Sequence, residues 1–157
     1  MAITVGQAAP DFTLHETLDR QRSLGDYRGR NVVLAFFPGA FTPVCTTEMC
    51  ALRDRVDQLG ALDAEVVGVT VDPPFVLDAW KAAHGVGYTF LSDYNRDAVR
   101  AYGVAFPDLG GLSGYVAANR AVTVIDKSGV VRYHWVAEHP GVEPDYAEIH
   151  AAVAALT

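Results

Sequence analysis

A continuous apolar run and a second, mostly apolar run, separated by an amphipathic stretch, dominate the first half of the sequence. The first covers residues 32–37 and ends at Pro38-Gly39, and the second covers residues 65–71. Runs without polar alternation are typical of strands that are buried on both faces of a parallel sheet. Between them, apolar residues recur at steps of three and four over residues 46–59, and Gly60 follows. This spacing predicts a helix, and the three segments together predict a βαβ unit.

The second half of the sequence continues this alternation and then changes its period. Helices are predicted over residues 75–84 and 95–102, with a short strand over residues 88–91 between them. Residues 121–125 and 130–136 flank a connection of hairpin length that contains Gly129, which predicts an antiparallel pair of strands. A last helix is predicted over residues 145–156. We therefore expect an α/β fold with a mixed central sheet flanked by helices, compatible with a thioredoxin-like fold.

Composition excludes several classes of function. The 157 residues include 12 Lys and Arg against 19 Asp and Glu, a net charge of -7, and no basic run that could track a phosphate backbone. The longest apolar run is far shorter than the ~20 residues that a membrane-spanning helix needs. The N-terminal residues do not resemble a secretory signal peptide. We expect a single domain over residues 1–157, soluble and cytoplasmic, with neither nucleic acid nor membrane as a partner.

The two cysteines, Cys45 and Cys50, are too few for a disulfide scaffold and are expected as thiols unless function oxidises them. Cys45 lies between a predicted buried strand and the helix that follows it. Functional groups of open α/β sheets often lie there, beyond the carboxyl ends of the strands. The N-terminus of a helix favours a thiolate over a thiol. A surface helix end is too weak to hold a thiolate at neutral pH alone, so an arginine or lysine partner is expected.

The segment between the first strand and its helix has the pattern Pro38-x-x-x-Thr42-x-x-Cys45. It resembles the active-site motif of the peroxiredoxins, and the similarity extends from residues 6–12 through residues 71–72 and 91–93 to residues 102–104. The resemblance implies that Cys45 is the peroxidatic nucleophile, that Thr42 and the loop backbone bind the peroxide, and that Pro38 shields the site from water. It further implies that Arg120 contacts the peroxide and the sulfur, and that Glu48 orients Arg120.

The resemblance also implies the overall reaction. A peroxiredoxin reduces hydrogen peroxide or organic hydroperoxides without a cofactor, through a sulfenic acid on the nucleophilic cysteine. A thioredoxin-like or glutaredoxin-like dithiol protein then recycles it. The expected functional unit is a monomer or a homodimer.

Cys50 resembles the resolving cysteine of the PrxQ, or bacterioferritin-comigratory, type, which lies five residues after the nucleophile. Residues five apart in a continuous helix have Cα atoms about 8.7 Å apart, beyond the ~7 Å limit for a disulfide. The first turns of the helix must therefore unwind before Cys50 can reach Cys45. Residues 36–42 also resemble the AhpE type, many members of which use one cysteine and an external thiol, and then Cys50 is structural.

Other interpretations of these residues remain open. A thioredoxin-type disulfide oxidoreductase needs Cys-x-x-Cys spacing, and a cysteine hydrolase or other thiol-bearing module needs a histidine base beside Cys45. Thr42 could be only a helix cap, Glu48 only a first-turn acid and Arg120 only a surface ion-pair residue. No metal site is expected, because the five histidines do not have metal-ligand spacing with the cysteines: His15, His84, His134, His139 and His150.

Overall fold

The computed structural model describes residues 3–156; residues 1–2 and 157 of the predicted domain lie outside the described residues. Nine strands are described among them: β1 (Thr13–His15), β2 (Gln21–Ser23), β3 (Asn31–Phe36), β4 (Ala64–Thr70), β5 (Thr89–Ser92), β6 (Ala105–Phe106), β7 (Ala117–Ala118), β8 (Ala121–Ile125) and β9 (Val131–Val136). The α-helices of the same stretch are α1 (Pro43–Arg53), α2 (Val56–Gly60), α3 (Pro74–His84), α4 (Asp97–Ala101) and α5 (Tyr146–Ala154).

Seven of these strands form one mixed sheet in the order β2-β1-β5-β4-β3-β8-β9. Strands β3, β4 and β5 are parallel, whereas β8 pairs antiparallel with both β3 and β9, and β1 pairs antiparallel with β5 and β2. The predicted α/β class, the βαβ unit and the C-terminal hairpin are confirmed. The described helices include none that is long and apolar enough to cross a membrane.

Strand β3 lies inside the sheet, between β4 and β8, and this position explains its run of apolar residues. Val32, Leu34 and Phe36 pack into one hydrophobic cluster, together with residues of α4. Val33 and Ala35 face the opposite cluster, to which α1, α3 and α5 contribute. Both faces of the sheet are therefore covered by helices, and residues 32–36 of the strand are apolar. The polar residue Asn31 begins the strand, where its side chain donates to the Leu62 carbonyl.

The predicted helix over residues 46–59 is wrong in its extent, because the chain forms two helices there. The first begins at Pro43, whose fixed φ suits the first turn of a helix, and it ends at Arg53. After the break, Leu59 N–H donates to the Arg55 carbonyl, and the Arg55 side chain donates to the Ala51 carbonyl at the end of α1. The apolar stripe continues across the break, so its spacing does not reveal the interruption. Strands β1, β2, β6 and β7 were not predicted, since two or three residues carry no periodic signal.

Candidate active site

The junction between β3 and α1 places Cys45 in the first turn of a helix. Thr42 has the extended backbone of an N-cap residue, and Cys45 is the third residue of α1. Thr46 N–H donates to the Thr42 carbonyl, so the amides of Val44 and Cys45 precede the helix's own hydrogen bonds. The Cys45 side chain is 1% exposed. Its sulfur therefore lies at the positive end of the α1 dipole.

Arg120 reaches this sulfur from the neighbouring strand. Residue 121 at the start of β8 pairs with Phe36 at the end of β3. This pairing brings Arg120 beside the active-site segment, residues 38–42, and beside Cys45, from which it is 75 residues away in the sequence. Its Nη2 atom donates to Cys45 Sγ at 3.0 Å, and its Nη1 atom donates to Glu48 Oε1 at 2.7 Å. Glu48 lies three residues after Cys45 on α1, so the two side chains share a helix face. The structure thus brings together the predicted nucleophile, cation and acid.

Two further groups hold Arg120, one at its guanidinium and one at its backbone, and sequence reasoning missed both. The Pro140 carbonyl, in the connection between β9 and α5, accepts from Nε at 3.0 Å and from Nη2 at 2.9 Å. Asn119 accepts from the Arg120 backbone N–H and donates to the Ala137 carbonyl, each at 2.8 Å. A backbone carbonyl has no sequence signature, and Asn119 could have been found only from its place beside Arg120.

The segment before α1 forms a compact turn around Thr42. The Thr42 hydroxyl donates to the Gly39 carbonyl at 2.9 Å, which leaves its oxygen free to accept a hydrogen bond from a substrate. Ala40 N–H donates to Asp72 Oδ2 at 2.7 Å. Phe41 adopts the left-handed backbone conformation, with φ 64, although it is not glycine. Pro38 is buried behind the turn, where it lines the cavity beside Cys45.

Burial dominates the electrostatics of the Glu48 and Arg120 pair. It raises the pKa of Glu48 to about 7, although the charge of Arg120 opposes the shift, and Glu143 adds to it. Glu48 Oε2 is also buried without a hydrogen-bond partner among residues 3–156. For Arg120, burial lowers the pKa, but the charges of Glu48 and Cys45 outweigh it and the net shift is upward. Arg120 therefore stays cationic beside the sulfur.

A cavity of about 370 Å³ opens next to these groups. Cys45, Thr42 and Arg120 line one part of it, and its other walls are mainly apolar: Pro38, Pro43, Val44, Leu109, Leu112 and Pro140. Leu109 and Leu112 belong to the glycine-containing segment before β7, to which the sequence assigned no role. The cavity combines a polar reactive end with room for an apolar substituent.

Cys50 lies on the same helix as Cys45 and is half-buried. Both cysteines are free, and α1 is continuous from Pro43 to Arg53. Because the two cysteines are five positions apart in an intact helix, their sulfurs cannot form a disulfide until α1 changes.

The surroundings of Cys45 differ from those that a cysteine hydrolase or a metal centre needs. The hydrogen-bond partner of the Cys45 sulfur is Arg120 rather than a histidine. Over the described part of the chain, no three His, Cys, Asp or Glu side chains are grouped so as to hold a metal ion. Neither the arrangement of a cysteine hydrolase nor a metal centre is therefore found within residues 3–156.

Comparison with known proteins identifies the family of the chain. The AhpC/TSA family model matches residues 5–134. The chain is 36% identical to alkyl hydroperoxide reductase E of Mycobacterium tuberculosis over 158 residues, which cover 99% of each chain. It is 36% identical to the chloroplastic peroxiredoxin Q of Oryza sativa subsp. japonica, over 83% of this chain and 58% of that protein. The crystal structure of a peroxiredoxin-like protein from Aquifex aeolicus superposes with a TM-score of 0.88 at 27% identity, covering 100% of this chain and 90% of that one. The chain belongs to the AhpC/TSA family of peroxiredoxins, the thiol peroxidases that consume a hydroperoxide and a thiol reductant.

Proposed function

We propose that this peroxidase reduces hydrogen peroxide and organic hydroperoxides with Cys45 as its nucleophile. The observation that carries the proposal is the 3.0 Å hydrogen bond from Arg120 Nη2 to Cys45 Sγ, in the first turn of α1. A fixed cation and a helix N-terminus both favour the thiolate, which is the form of cysteine that attacks an electrophile. Glu48 and the Pro140 carbonyl hold that cation in place.

In the proposed step, the Cys45 thiolate attacks the terminal oxygen of the peroxide. An S–O bond forms while the O–O bond breaks, and the electron pair goes to the leaving oxygen. That oxygen takes a proton from solvent and departs as water or an alcohol, and Cys45 becomes a sulfenic acid. The Arg120 guanidinium and the first-turn amides stabilise the charge that develops, and the Thr42 oxygen accepts a hydrogen bond from the peroxide O–H.

The walls of the cavity support organic hydroperoxides as substrates. A volume of about 370 Å³ exceeds what hydrogen peroxide occupies, and Leu109 and Leu112 offer apolar contacts to an alkyl group. Burial of alkyl carbons against such walls is favourable by about 0.8 kcal/mol for each CH₂. A relative that is named alkyl hydroperoxide reductase supports the same substrate class.

For the second half of the cycle, we propose that Cys50 resolves the sulfenic acid. The Cys50 thiolate attacks Cys45 Sγ, and an S–S bond forms while the S–O bond of the sulfenic acid breaks. The leaving hydroxide takes a proton from solvent and departs as water. This step requires the first turns of α1 to unwind. A thioredoxin-like or glutaredoxin-like dithiol in a reducing compartment then reduces the disulfide. In the alternative, an external thiol resolves Cys45 and Cys50 only packs, as its half-buried place on an intact helix allows.

Stopped-flow tryptophan fluorescence with hydrogen peroxide tests the nucleophile. We expect a rapid fluorescence change, which reports oxidation, in the wild-type protein and in Cys50→Ser. The same change should be absent in Cys45→Ser. A Cys45→Ser protein that reacts as fast as wild type would exclude the proposal.

Intact mass after one equivalent of peroxide tests the resolving step. Loss of two hydrogens is expected in the wild-type protein, and a gain of one oxygen is expected in Cys50→Ser. A wild-type protein that gains oxygen and keeps Cys50 as a free thiol would support the one-cysteine alternative instead.

A further inference from the structure

The Asp72 side chain, two residues after β4, connects the active-site segment to the end of that strand. Because β3 and β4 are parallel, the segment after β3 and the residues after β4 leave the sheet at the same edge. Asp72 Oδ2 accepts from Ala40 N–H at 2.7 Å and from the Thr70 hydroxyl at 3.1 Å. We propose that Asp72 is a positioning residue that holds the active-site segment in its peroxide-reactive conformation, and that release of the Ala40 hydrogen bond starts the unwinding that resolution needs. The second clause rests on the proposed resolving role of Cys50.

Asp72 itself is firmly fixed to the sheet. Its carbonyl accepts from the Ser92 hydroxyl at 2.6 Å, and Asp93 N–H donates to the Thr70 carbonyl at 2.7 Å. Thr70 and Ser92 are partners in the parallel β4–β5 pairing. Asp72 is half-buried and is held to the ends of β4 and β5 by these bonds, so movement is expected on the other side of the hydrogen bond, in the segment that carries Ala40.

The segment that Asp72 holds stores backbone strain. Phe41 follows Ala40 and has a φ of 64, a conformation that a residue with a Cβ atom disfavours. Its side chain is 56% exposed and contacts the His84 ring with centroids 6.1 Å apart. Little burial offsets the strain. The hydrogen bonds that hold the turn against it are the one within the turn, from the Thr42 hydroxyl to the Gly39 carbonyl, and the one from Ala40 N–H to Asp72. Strain kept in place by a few contacts is typical of segments with two alternative conformations.

Loss of this anchor is expected to move the two chemical steps in opposite directions. Oxidation needs Cys45 held beside Arg120, so a released segment reacts more slowly. Disulfide formation needs an unwound α1, so a released segment resolves faster. A residue that only stabilises the fold would not separate the two rates in this way.

Three variants separate positioning from charge and from folding. Asp72→Ala removes the acceptor, Asp72→Asn keeps an acceptor oxygen for Ala40 N–H, and Asp78→Ala removes a charge from an exposed position on α3. Fluorescence gives the oxidation rate, and quenched mass measurements give the rate of disulfide formation. We expect Asp72→Ala to oxidise about tenfold more slowly, as loss of one hydrogen bond predicts, and to form the disulfide several-fold faster. Asp72→Asn and Asp78→Ala should stay within about twofold of wild type.

Two outcomes would overturn the proposal: equal slowing of both steps in Asp72→Ala, or unchanged oxidation with intact folding by circular dichroism. The oxidation step is also measured in a Cys50→Ser background, where no resolution occurs. If wild type forms no disulfide, the role of Cys50 fails and the unwinding clause fails with it. The comparison of Asp72→Ala with Asp72→Asn in that background still decides whether Asp72 positions Cys45.

Discussion

Arg120 connects the groups of the candidate site, because its guanidinium donates hydrogen bonds to three partners at once. It donates to the Cys45 sulfur, to the Glu48 carboxylate and, through two nitrogens, to the Pro140 carbonyl. The side chain is 1% exposed, and a buried charge is tolerated only when it is paired and hydrogen-bonded. The planar fork of arginine meets all three directions without rearrangement.

Replacement of Arg120 by lysine tests whether this geometry matters beyond the charge. An ammonium group is a point charge on a flexible stem and cannot reach all three partners together. We expect Arg120→Lys to slow peroxide oxidation of Cys45 by about 10²-fold, a typical loss for one preorganised donor. Stopped-flow fluorescence measures the rate, and Arg132→Lys, at an exposed ion pair with Asp126, is the matched control. An Arg120→Lys rate within a few-fold of wild type would show that charge alone suffices.

The raised pKa of Glu48 predicts a pH dependence of stability. Its ordinary value of 4.5 is raised to about 7 in the native state by burial. The native state therefore binds this proton more tightly than the unfolded state, and Glu48 makes the protein less stable as pH rises from about 4.5 to 7, by roughly 3 kcal/mol. Urea unfolding of wild type and Glu48→Gln between pH 5 and 8 measures the difference.

We expect the Glu48→Gln protein to lack this loss of stability with rising pH. Burial lowers the pKa of His134, so this residue makes the protein more stable as pH rises. Because His134 is present in both proteins, its effect cancels in the comparison. Parallel stability curves for the two proteins would contradict the assignment.

Leu112 provides a test of substrate class. It lines the cavity and is an exposed leucine, so a polar replacement leaves the core intact. We expect Leu112→Ser to lower kcat/KM for a long-chain alkyl hydroperoxide about fivefold, through lost apolar contact, and to leave hydrogen peroxide unaffected. Leu18→Ser, at an exposed leucine of the β1–β2 connection, is the control. Equal loss with both peroxides would assign Leu112 a role other than alkyl binding.

At the scale of elements, the sequence predicts buried strands well and breaks within helices poorly. Strands β3, β4 and β8 were predicted to within one residue at each end, because a strand covered on both faces has an unbroken apolar run. The break between α1 and α2 was not predicted, because the spacing of apolar residues continues unchanged from one helix to the other. The motif predicted roles for Cys45 and Thr42, and the wider family resemblance predicted one for Arg120. Asp72 and the Pro140 carbonyl meet these residues only through tertiary contacts, which the sequence does not reveal.

Helix α1 is the element that must change during the proposed cycle. Hydrogen exchange measured by mass spectrometry should show faster exchange over residues 46–50 in the disulfide form than in the reduced form, because unwinding breaks the hydrogen bonds of those amides. Helix α5 serves as an internal control and should be unaffected. Unchanged protection of α1 in a protein whose mass proves the disulfide would contradict the unwinding mechanism.

At the scale of the whole molecule, the site depends on the packing of a sheet that is covered on both faces. Phe37, the residue between β3 and the active-site segment, packs against Phe90 and Trp80, with ring centroids 5.6 and 6.1 Å away. Gly68 at the centre of β4 makes room for Phe90. Cys45 belongs to the same hydrophobic cluster. Core packing and the position of the nucleophile are therefore coupled.

Gly68→Ala tests this coupling. A Cβ atom at Gly68 would lie 2.2 Å from Cδ1 of Phe90 and 3.3 Å from Cε1 of Phe37, so both rings would have to move. We expect urea unfolding to show a loss of about 2–3 kcal/mol, as overpacking predicts, with slower oxidation of Cys45. In the control Gly60→Ala, the added Cβ atom meets nothing within 4 Å, so neither quantity should fall. If Gly68→Ala is less stable but its Cys45 is oxidised at the wild-type rate, the coupling is contradicted. Displacement of Phe37 would then not reach the segment that positions Cys45.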